Sequence, residues 1–121
     1  MIDRKVIETI EKNLNLDEDV KEEAEFYSEK VWDYLKENNV NFDESTSMVF
    51  LNHLFALFQR LKNKEALPEM GGEILDQIDP AALKLSKDSL KIIEEAKGVT
   101  LDTAEIVLVA IHVQNALQNN C

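Results

Sequence analysis

Two stretches of this chain are apolar on nearly every side of a helix, and they limit its fold more than any other feature. The first is Met48-Val49-Phe50-Leu51-Asn52-His53-Leu54-Phe55-Ala56-Leu57-Phe58, and the second is Ile106-Val107-Leu108-Val109-Ala110-Ile111-His112-Val113. A helix that is hydrophobic all round belongs in a core or at a subunit interface. At 11 residues the first stretch is well short of the roughly 20 that cross a bilayer. The β-branched residues of the second leave it locally ambiguous with a buried strand. Its start signal decides for helix. Asp102 can cap it, Glu105 three residues on can reach back to the cap, and Leu101 can staple to Ile106.

The remaining elements are also helical. Ile2, Val6, Ile10 and Leu14 recur at steps of four and give one apolar stripe, closed by Asn13-Leu14-Asn15. Asp17 can cap a second helix through Val20, Ala24, Tyr27, Val31 and Leu35, ended by Asn38-Asn39. The third opens within Asp43 to Ser45. Pro68 and Gly71-Gly72 mark a loop, with Gly71-Gly72 read as a flexible turn. A fourth region follows, which Pro80 can split in two by starting a helix at its first turn. Leu83, Leu90, Ile93 and Ala96 form its apolar side, and Gly98 stands where a helix-ending glycine belongs. With three Gly and two Pro in 121 residues, there is little punctuation. The reading is one all-α domain over residues 1–121, a compact five-helix bundle.

A net charge of −11 repels phosphate backbones and anionic membrane surfaces. No direct nucleic-acid or membrane partner is therefore expected. Cys121 is the only cysteine, so there is no internal disulfide and no thiolate metal set. Met1-Ile2-Asp3-Arg4-Lys5 lacks the apolar core of a signal peptide, and the expected location is cytoplasmic. No Gly-rich phosphate loop, metal-ligand spacing or catalytic carboxylate pair occurs, so neither cofactor, metal nor enzymatic activity is expected.

His53 and His112 are the only histidines. Helical neighbours surround His53 with Val49, Phe50, Ala56 and Leu57, and His112 with Leu108, Val109, Asn115 and Ala116. Taken singly, each is most simply a satisfied core histidine. Both lie in the most apolar part of their region, however, and Arg60 sits two turns after His53 on the same helix face. A guanidinium there can receive an anion carried by the ring. Glu105, seven residues before His112, is accounted for by capping. Trp32, Phe50, Phe55 and Phe58 read as core or interface aromatics.

The segment His53-Leu54-Phe55-Ala56-Leu57-Phe58-Gln59-Arg60-Leu61 resembles the first histidine motif of the phosphotransferase-system regulation domain, abbreviated PRD. There, an arginine and then an aliphatic residue follow the histidine. The segment from Leu101 to Val113, with its glutamate and apolar run before His112, resembles the second. The separation of 59 residues is close to the interval that family keeps. Asn52 stands where many members have Asp, and Val107 where many have Gly. The resemblance implies a five-helix bundle pairing as a homodimer, with His53 and His112 as phosphoacceptors and Arg60 as phosphate partner. It implies donors in the phosphocarrier or a sugar-specific component of the phosphotransferase relay. As a stand-alone PRD, the chain would act on transcription or metabolism through a partner. The competing readings are a non-catalytic helical dimerisation or interaction protein with structural histidines, and a small-molecule sensor.

Overall fold

The computed structural model describes residues 2–68 and 72–119. They form α1 (Arg4–Leu14), α2 (Glu18–Glu37), α3 (Glu44–Asn63), α4 (Gly72–Asp76), α5 (Pro80–Lys97) and α6 (Thr103–Asn119). Among the described residues there is no strand, and no helix is long and apolar enough to cross a membrane. The β-branched run of α6 is helical throughout. The fourth region does come in two pieces, α4 and α5, so six helices stand where five were expected. Gly71 and Cys121 lie outside the described residues, and Gly72 opens α4.

The helix ends show why the boundaries fall where they do. Asp43 caps α3 reciprocally: its carboxylate accepts from the Thr46 amide at 2.8 Å, while its own amide donates to the Thr46 hydroxyl at 3.0 Å. Asp79 accepts from the Ala81 amide, with Pro80 at the first helical position, where no N–H is needed. Gly98 closes α5 at φ 64°, a left-handed conformation that costs glycine little.

Two expected caps are used otherwise. Asp17 sits at the start of α2 in extended conformation but makes no side-chain cap bond. Its carboxylate instead accepts from Lys62 at 2.9 Å and from Gln59 at 3.4 Å, tying the start of α2 to the end of α3. At α6 the Asp102 carbonyl accepts from the Glu105 and Ile106 amides, but the Glu105 carboxylate turns to another helix, as described below. In both cases a lysine or arginine from a neighbouring helix outcompetes an amide for the carboxylate, because an ion-assisted bond is the stronger one.

Helices α2, α3, α6 and α5 form a closed ring of contacts, each packing on the next, and α1 packs on α3. Neighbours in the ring run antiparallel. Tyr27 meets Phe58 and Trp32 meets Phe50 across α2 and α3; Ser86 donates to the Ile106 carbonyl at 2.6 Å across α5 and α6. The apolar faces of these four helices turn into the ring, and α1 adds Ile7 and Ile10 to the same core. Phe50, Phe55, Leu51, Leu54, Val31, Leu35, Leu90, Ile93, Val107 and Val113 are essentially inaccessible, each contributing about 1.5–3 kcal/mol of transfer free energy. The all-round apolar segments are thus accounted for: α3 packs on α1, α2 and α6, and α6 packs on α3 and α5.

Candidate functional site

The site grows from the register of α3 against α6. Both helices are apolar enough to be buried on most sides, and they run antiparallel, so a residue two turns forward on one faces a residue two turns back on the other. His53 meets His112, with ring centroids 5.0 Å apart and planes inclined at 43°. Two turns away, Arg60 meets Glu105. The Arg60 Nε donates to Glu105 Oε2 at 2.9 Å and Nη2 donates to Oε1 at 2.7 Å. Only 16% of the arginine side chain and 9% of the glutamate side chain are exposed. Such a two-pronged pair fixes helix register as well as charge.

A run of rings positions His112. Trp32 stacks on Phe42 at 5.5 Å, Phe42 on Phe50 at 4.6 Å, and Phe50 meets the edge of His112 at 5.9 Å. Phe50 is fully buried, so the imidazole next to it has little freedom to swing. His53, three residues along α3 from Phe50, completes the row. Both imidazoles are half-buried. No nitrogen of either ring is among the buried, unpartnered atoms of the described residues.

This environment keeps the rings neutral. Burial pushes His112 down to about 4, and the neighbouring His53 acts in the same direction. Burial also lowers His53, helped by the charge of Arg60 and opposed by Glu105. Desolvation disfavours the imidazolium, so at neutral pH each ring retains a nucleophilic, metal-ligating lone pair. Beside His112 opens a cleft of about 260 Å³ lined by Ser45, Thr46, Val49 and Asn115, with Val49 half exposed. His112 is therefore reachable from the N-terminal end of α3. Among the described residues, no group of three or more His, Cys, Asp and Glu is assembled that could hold a metal ion.

All three sequence-derived site residues are thus brought to the α3–α6 seam. The sequence reading missed Glu105 as a member. The signal lay in the equal offsets: Arg60 follows His53 by seven, and Glu105 precedes His112 by seven. An antiparallel pairing of the histidines places those two charges opposite each other.

A family model for the PRD domain matches residues 28–116, from the middle of α2 through nearly all of α6. The chain belongs to the PRD domain family. The match contains a single PRD, with α1 and the first half of α2 preceding it. PRD domains are regulatory rather than catalytic, and the chain is a regulatory module of that general kind. No curated protein and no solved structure matches it.

Proposed function

We propose that this PRD accepts a phosphoryl group on His53 or His112 from the sugar phosphotransferase relay. Acting as a homodimer, it would pass that state to a partner controlling transcription or metabolism. The observation that supports this reading most directly is the pairing of two neutral imidazoles, 5.0 Å apart, one of which, His112, lines an open cleft. In the transfer, a ring nitrogen lone pair attacks the phosphorus of a donor phosphohistidine. The new P–N bond forms as the donor's P–N bond breaks, and that bond's electron pair returns to the donor ring. The acceptor ring releases the proton from its other nitrogen to water, and the donor ring takes one up, so charge balances across the transfer. Only an unprotonated ring can begin this, which the depressed His53 and His112 satisfy.

His112 is the better placed to meet a donor, because it lines the cleft. The added group brings close to two negative charges into surroundings dominated by Phe50 and Val49, so it must find a cation or force a rearrangement. Arg60 is the candidate partner, and its side chain leans toward the N-terminus of α3, the direction in which His53 lies two turns away. To reach a phosphoryl group it would have to leave Glu105, loosening α3 from α6. Phosphorylation would in this way be converted into a change of helix packing.

Incubating the protein with phosphoenolpyruvate and the general phosphotransferase components should give an acid-labile phosphate, reduced by His112→Gln and abolished by the double His53→Gln, His112→Gln variant. Absence of label, or label unchanged in the double variant, would remove phosphoryl transfer from the account. The second reading, a purely structural interaction protein, draws support from the way His112 is built into the aromatic row. It expects the two Gln variants to alter stability while partner binding persists.

A further inference from the structure

We infer that His53 and His112 together form a chelating site for one divalent ion of the late first transition row, such as zinc, held between α3 and α6. Spacing comes first. An ion about 2.0–2.1 Å from one nitrogen of each of two imidazoles, in tetrahedral arrangement, sets the ring centres about 5 Å apart. The observed separation is 5.0 Å, and at 43° the rings neither stack face to face nor stand perpendicular.

The second argument is donor chemistry. The contacts seen for these rings are with other rings, His53 with His112 and His112 also with Phe50. Imidazole is a borderline ligand that suits zinc, copper and nickel over calcium or magnesium. A search within a single helix finds no such site, because the residues three and four places from each histidine are not ligands. The chelate arises only across two helices.

The third argument is rigidity and access. The Arg60–Glu105 pair two turns away sets the register of the two helices, and Phe50 restrains His112. Both ligands are therefore pre-positioned, which is what makes a two-ligand chelate stronger than two separate histidines. The cleft of about 260 Å³, lined by His112 with Ser45, Thr46, Val49 and Asn115 but not by His53, gives an ion a way in from the His112 side. The net charge of −11 raises the local concentration of cations.

A bound ion would occupy lone pairs that phosphoryl acceptance also needs, so metal-bound and phosphorylated states exclude each other. The ion site itself does not depend on the phosphoryl reading, and its test requires no phosphotransferase component.

The test is calorimetric titration of the full chain with zinc chloride alone. The expected result is one ion per chain, unchanged in Cys121→Ser and weakened about 100-fold by either His53→Gln or His112→Gln, since each variant removes the partner that supplies effective concentration. Wild-type protein followed by NMR should show both histidine ring signals moving together and saturating at one equivalent, which keeps the test open should a variant fold poorly. Absence of binding, loss in Cys121→Ser alone, or retention of full affinity in either single histidine variant would overturn the chelate. So would a rise in molecular mass on metal addition, because the ion would then bridge two chains.

Discussion

Replacing Arg60 with methionine removes both of the hydrogen bonds that hold Glu105 and leaves its carboxylate between α3 and α6. With side-chain exposures of 16% and 9%, this pair is not an ordinary surface salt bridge, for which about 1 kcal/mol would be generous. Removing one member of a buried pair costs about 3–5 kcal/mol, because the other charge stays buried without a partner. Glu105 retains slight solvent contact, which favours the lower end, about 3 kcal/mol. For a chain of 121 residues, an unfolding entropy of about 2.1 cal/mol/K per residue amounts to about 0.25 kcal/mol/K. The melting temperature of Arg60→Met should therefore fall by about 12 °C. Far-UV circular dichroism during heating at neutral pH measures this directly. The double variant Arg60→Met, Glu105→Leu removes both charges and fills the space with apolar atoms, so it should recover most or all of the loss. A single-variant drop below about 4 °C would place the pair in the surface class and refute the argument. A double variant whose loss equals the sum of the two single losses would also refute it, since the charges would then be uncoupled.

A second carboxylate predicts a pH dependence. Glu11 of α1 is 7% exposed and its Oε2 has no hydrogen-bond partner; burial, and next to it the Glu25 carboxylate, push it up to about 7, with Arg4 and Lys21 opposing. Because the folded value lies above the unfolded one, the stability linked to this proton is complete below about 4.5 and is lost as pH rises through about 7. Glu11→Gln should therefore gain on wild type in chemical denaturation as pH is raised through neutrality, and a constant difference between the two proteins would contradict the assignment. Ser28, fully buried in α2 with a hydroxyl that has no partner, forfeits hydration without return. Ser28→Ala should leave stability unchanged or raise it by up to about 1 kcal/mol, and a loss beyond about 1 kcal/mol would show a bond to that hydroxyl.

The sequence by itself determined the elements. Apolar spacing, the Asp43 and Pro80 starts and the Gly98 stop are short-range features, acting within a turn or two, and the helices follow them closely. The all-round apolar character of α3 and α6 likewise required both to be interior, and the histidine motifs within them pointed to the PRD family. Tertiary structure alone decided the partners. Asp17 and Glu105 both occupy capping positions that their sequence context explains completely, yet each gives its carboxylate to a cation more than 40 residues away. Nothing local distinguishes a carboxylate that caps from one that reaches across, because the choice depends on which helix is packed beside it. The same holds for His53 and His112. Their 59-residue spacing identified them as a pair of motifs, but only the antiparallel register of α3 on α6 brings the two rings to 5.0 Å. That register is set by side-chain interdigitation and by the Arg60–Glu105 pair, which exist only once the helices have met.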